Sequence, residues 1–81
     1  MTIERLKEIF ENKNPNLEGD NAFQGLQILS KYSDKLITAA EHDIIFSCAY
    51  DDVIENLTEE DALSLAQLNW MLEYDSFACF V

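Results

Sequence analysis

The stretch Asp43-Ile44-Ile45-Phe46-Ser47-Cys48-Ala49-Tyr50 alternates with a two-residue period. Ile44, Phe46, Cys48 and Tyr50 fall on one face and Ile45, Ser47 and Ala49 on the other, the spacing of a strand rather than of a helix. Asp51-Asp52 reads as the end of that strand, and Val53 to Asn56 has room for one helical turn. Thr58-Glu59-Glu60-Asp61 then has the form of a helix start. The Thr58 hydroxyl can cap unpaired backbone N–H groups, and carboxylates in the first turn are favoured by the helix dipole. Ala62, Leu65, Ala66 and Leu68 give that helix a buried side, and Asn69 tolerates the left-handed conformation that ends it. Trp70, Met71 and Leu72 begin an extended segment, and Glu73-Tyr74-Asp75 reads as a turn. Phe77, Cys79 and Val81 alternate with Ser76, Ala78 and Phe80 in a last strand, which the large apolar residues are expected to tie into the sheet.

Upstream of the strand the period is helical. Ile3, Leu6, Ile9 and Phe10 make one apolar stripe behind a Thr2 cap, and the helix is expected to end near Asn12, before Asn14-Pro15-Asn16. Asp20 or Asn21 caps a second helix with Phe23, Leu26, Ile28, Leu29 and Tyr32 on its apolar face down to Ser33-Asp34. Gly25 costs about 1 kcal/mol there relative to alanine, so it is expected where another backbone comes close. Lys35 to Ala40 mixes residues of both preferences and reads as a connection. The expectation is one α+β domain over residues 1–81, three helices packed on one face of a small antiparallel sheet of about three strands at 43–50, 70–73 and 76–81. Trp70, Phe46 and Phe77 should share its core with Leu26 and Leu65.

Length and composition agree with one core. Chains near 81 residues bury only about 60% of their unfolded surface, and a hydrophobic fraction of 48% is that of folded domains. The net charge of −11 is unevenly placed: residues 1–40 hold five basic and six acidic side chains, whereas residues 41–81 hold ten acidic and no basic ones. Such a half attracts basic partners and repels phosphates, so direct binding to nucleic acid or to anionic lipid is not expected. Cys48 and Cys79 lie in apolar surroundings without a metal-ligand spacing and read as buried free thiols. Residues 1–14 contain no apolar run of a secretory leader and no stretch reaches the length of a membrane span, so a cytoplasmic protein without membrane contact is expected.

Catalytic chemistry has little to stand on. His42, the one histidine, lies between Glu41 and Asp43. On a strand these neighbours point away from it, and a structural or surface histidine at the start of a strand is the simpler reading. Asp51, Asp52 and Glu55 lack the glycine of a calcium loop. Two glycines cannot supply a phosphate loop or a dinucleotide fingerprint, and no nucleophile turn is present. The expectation is a non-enzymatic protein without cofactor or metal, whose acidic surface of Asp51, Asp52, Glu55, Glu59, Glu60 and Asp61 meets a basic surface of another protein. Two alternatives are a small metal-binding or hydrolytic protein centred on His42, and a homo-oligomeric subunit pairing through an apolar face.

Glu41-His42-Asp43 before Ile44-Ile45-Phe46-Ser47, the capped helix TEEDALSLAQLNW and the ending SFACFV resemble a group of small acidic uncharacterised bacterial and prophage proteins. These share an EHD at a strand start, an L..L.W stretch and a late aromatic before FV. The resemblance spans residues 22–81. Asn69 stands where such proteins often have glycine and Phe77 where they often have tryptophan, and both substitutions keep the physical role. No activity or site residue follows from it. It implies a phage or mobile-element origin and, by analogy, an inhibitor whose charge imitates nucleic acid.

Overall fold

The computed structural model describes residues 1–15 and 19–80. Asn16 of the proposed helix break and Val81 of the last strand lie outside the described residues. In chain order the elements are α1 (Ile3–Glu11), α2 (Asn21–Leu29), β1 (Ala39–Glu41), β2 (Ile44–Ala49), α3 (Tyr50–Val53), α4 (Glu59–Gln67), β3 (Met71–Glu73) and β4 (Ser76–Phe80). The class is α+β, with one more helix and one more strand than expected.

The three long helices start where side-chain oxygens take up backbone donors. Thr2 accepts from Arg5 N–H, Asp20 from Phe23 N–H and Thr58 from Asp61 N–H. At the far end of α4, Asn69 is left-handed, with φ 64°. Helix α2 stops at Leu29, short of the expected Ser33-Asp34, and a tight turn in which Ser33 N–H bonds to Leu29 O follows.

The sheet is antiparallel in the order β1-β2-β4-β3. Residues 39–41, expected in a connection, form its first edge: Ala39, Ala40 and Glu41 lie opposite Phe46, Ile45 and Ile44. This strand is held by backbone pairing, since all three side chains are exposed. Strand β2 stops at Ala49, one residue short of the expected Tyr50, and Asp51-Asp52 lie in the short helix α3 that follows.

The alternation of β2 is also broken. A bulge between Phe46 and Ala49 shifts its register against β4. Ahead of it Ile45, paired with Cys79, packs against the helices, and Phe46 faces away from them; behind it Cys48 and Tyr50 are inside. Phe46 is therefore not part of the main core. It is 9% exposed and its ring lies against Tyr74, 5.9 Å between centroids.

The core under the helices joins Leu6, Ile9 and Phe10 of α1 with Leu65, Trp70 and Phe77, all buried, and Leu26 packs at its margin. Phe77 meets Phe10 and Tyr50 with ring centroids 6.1 and 6.5 Å away. Gly25 does make room for a close neighbour, but for a side chain: the Trp70 indole sits over it and donates Nε1–H to Asn21 O at 3.0 Å.

Candidate functional site

The acidic residues separate into two groups. Glu59 and Asp61, in the first turn of α4, are engaged by cations from the first half of the chain. Arg5 of α1 bridges Glu8 and Glu59. Lys31, just beyond α2, donates to both oxygens of Asp61 at 3.0 Å, and the Tyr32 hydroxyl donates to Oδ2. The Asp61 side chain retains only 14% of its exposure. Burial pushes its carboxyl up, but the hydrogen bonds from Tyr32 and Lys31, the Lys31 charge and the Thr58 contact together outweigh burial and hold it below the usual carboxylate range. These two acids fasten α4 to α1 and to the end of α2.

Asp51, Asp52, Glu55 and Glu60 are exposed and make no hydrogen bond or ion pair among the described residues. Asp51 and Asp52 are placed by α3, and Glu55 follows it before the Thr58 cap. Of the six acids in the expected surface, four are thus free to meet a partner and two already have one.

His42 is exposed in the two-residue connection between β1 and β2, with φ 51°. No polar side chain converges on it among the described residues, and no group of three or more His, Cys, Asp or Glu there could hold a metal ion. The two cysteines are buried and unpaired, and burial pushes both thiols up, which keeps them protonated and poor nucleophiles.

Two further features were not assigned to residues from the sequence, although an apolar pairing face was among its alternatives. The helix-free face of the sheet is apolar, with Tyr74 85% and Phe80 56% exposed, Ile44 and Met71 half-buried, and Phe46 beside them. At the β3 edge of the sheet a cleft of about 470 Å³ opens between α1 and β3. Lys7, Phe10 and Lys13 line it from α1 and the segment after it, and Met71, Leu72 and Tyr74 from β3 and its turn. At its floor Tyr50 donates its hydroxyl to Asp75 Oδ1 at 2.9 Å, and that bond raises the phenol's pKa.

No protein-family model, curated protein or solved structure matches this chain.

Three surfaces of the molecule are open to a partner. Each of the three offers a different chemistry: exposed carboxylates without ion pairs among the described residues, an open apolar sheet face, and a cleft lined by Lys7, Lys13, Glu11 and Asp75 around aromatic rings. No helix among the described residues is long and apolar enough to cross a membrane. The cleft was hidden from sequence reasoning because Lys7 and Lys13 come together with residues 50 and 71–75 only through tertiary packing. The spacing of Lys7 and Phe10 on one helical face was its sole sequence signal.

Proposed function

We propose that this chain is a non-enzymatic, cytoplasmic interaction module that docks Asp51, Asp52, Glu55 and Glu60 on a basic surface of another protein. The observation that carries this reading is that these four carboxylates stand exposed with no hydrogen bond or ion pair among the described residues, Glu60 alone lying within reach of the Lys31 charge, in a half of the chain that has no Lys or Arg. Cations elsewhere in the molecule are directed to Glu8, Glu59 and Asp61 instead. A field of one sign raises the rate of encounter with a complementary surface and discourages wrong partners. The resemblance to prophage proteins extends the reading to an inhibitor that occupies the nucleic-acid cleft of a host enzyme.

Capture of partners from a bacterial lysate at low and at high salt tests it. Salt screens exposed charges beyond about 10 Å at 0.1 M, so retention should fall as salt rises. The triple change Asp51→Lys, Asp52→Lys, Glu55→Lys should abolish it. Partners held equally at both salts, or by the triple variant, would overturn the reading.

A second reading rests on the helix-free sheet face. Exposed Phe80 and Tyr74 beside Ile44 and Phe46 form an apolar patch that a second copy of the chain would cover. Sedimentation separates the two readings: a dimer dissociated by Phe80→Ser favours the second, and a monomer at all concentrations removes it.

A further inference from the structure

We infer that the helix-free face of the sheet is a docking surface for an apolar segment of a partner protein that carries an arginine, whose guanidinium lies on the Tyr74 ring and reaches the Glu41 carboxylate.

Residues directly opposite one another on paired strands share a face of the sheet. Ala39, Phe46, Ala78 and Met71 make one row across all four strands, and Glu41, Ile44 and Phe80 make a second row beside it. Between β1 and the β3–β4 turn a hollow of about 370 Å³ opens in this face, with Ala39, Glu41, Phe46 and Tyr74 in its lining. Tyr74 occupies the first central position of that turn with φ 51°, followed by Asp75 at 60°. Two-residue turns with both φ values positive favour Asn, Asp or Gly, because a bulky side chain is strained there. The contact of Tyr74 with Phe46, 5.9 Å between centroids, uses one side of the ring and leaves the residue 85% exposed. A strained, exposed aromatic beside a hollow is a contact held ready for a partner, since strain persists where function requires it and aromatic side chains anchor interfaces.

The charge of the face selects its occupant. Among the described residues Glu41 is the one charged side chain that lines the hollow, and it makes no hydrogen bond or ion pair, with His42 or with any other residue. Glu73 stands on the same face at the β3 edge, two residues along from Met71. Residues 36–81, which include every strand, contain no Lys or Arg. A purely apolar partner would bury Glu41 without a counter-charge, at a cost that a cation removes. Arginine fits better than lysine, because a planar guanidinium stacks on an aromatic ring while its N–H groups reach a carboxylate. A second copy would cover the apolar area, but a two-fold contact returns the same patch to itself. It would set Glu41 and Glu73 against further carboxylates and bring no Lys or Arg. The acidic surface on α3 and α4 has no part in this contact.

The test selects a displayed library of random dodecapeptides on the full chain and follows the best peptide by NMR titration. Enriched peptides should combine arginine with apolar residues, and the best should shift the amides of Ile44, Phe46 and Tyr74. Glu41→Gln should weaken its binding about tenfold, the effect of one charge-assisted contact. Tyr74→Asn relieves the strained turn, so it should hold or raise the melting temperature while weakening the peptide by a similar factor. Enrichment without arginine, no binding at millimolar peptide, undiminished binding to the Glu41→Gln variant, or shifts confined to α3 and α4 would overturn the assignment. Shifts of the Ile44, Phe46 and Tyr74 amides that grow with protein concentration alone would also overturn it, in favour of a second copy of this chain.

Discussion

A Cβ placed on Gly25 would lie 2.0 Å from Nε1 and 2.2 Å from Cε2 of Trp70, well inside contact distance with a rigid ring. The indole cannot retreat without breaking the bond from Nε1–H to Asn21 O and leaving a buried donor unpaired. Gly25→Ala is therefore expected to destabilise by about 1–3 kcal/mol, the usual cost of overpacking, although alanine on its own would favour the helix by about 1 kcal/mol. Trp70→Ala should cost about 3–5 kcal/mol. Combining the two should cost less than their sum, because the clash disappears with the ring. Urea denaturation of the three variants checks this, and strict additivity would mean that α2 is not seated by Trp70. The sequence marked Gly25 as a point of close approach but named a backbone as the neighbour. Trp70 is 45 positions away, and no local pattern links the two.

Helix α4 is held at its beginning by partners from outside it. Its Thr58 cap was readable because capping is local, as were Thr2, Asp20 and the left-handed Asn69. The anchoring of Glu59 by Arg5 and of Asp61 by Lys31 and Tyr32 was not, since these partners lie 54, 30 and 29 residues away. The Asp61 carboxyl is held below its unfolded value. Its contribution to stability is therefore complete above the unfolded carboxylate pKa, near pH 4, and is lost as pH falls through the folded value. Asp61→Asn should cost about 1–2 kcal/mol at neutral pH, from weakened charge-assisted bonds, and should lose less stability than the parent on acidification. Denaturation at pH 7, 5 and 3 measures this, and parallel pH curves for the two proteins would remove Asp61 from the account. The elements that sequence reasoning missed have a common physical cause. Ala39-Ala40-Glu41 becomes β1 through backbone bonds to β2 with no buried side chain to set a period, and the bulge after Phe46 reverses a period that otherwise reads cleanly.

For the molecule as a whole, the net charge of −11 acts against compactness while favouring solubility and steering. Replacing Asp51, Asp52 and Glu55 with Lys should hold or raise the melting temperature at an ionic strength of about 0.01 M, and the gain should shrink near 1 M, where screening acts within about 3 Å. A fall in stability at low salt would mean that these carboxylates have partners inside the fold. Exposure of this surface was legible from composition, and an apolar pairing face was foreseen without its residues, whereas the cleft, made by elements distant in sequence, was not. The strand order has a consequence for how the chain is made. The two central strands are β2 and β4, and β4 is the last element among the described residues. A polypeptide emerging from the ribosome in sequence order carries α1, α2 and the β1–β2 hairpin without the strand that completes their core. Phe77 and Cys79 arrive only with β4. Folding then waits on non-local pairing, which is slow relative to hairpin closure. Until Ser76–Phe80 has cleared the exit tunnel, the nascent chain exposes the inner edge of β2 to chaperones.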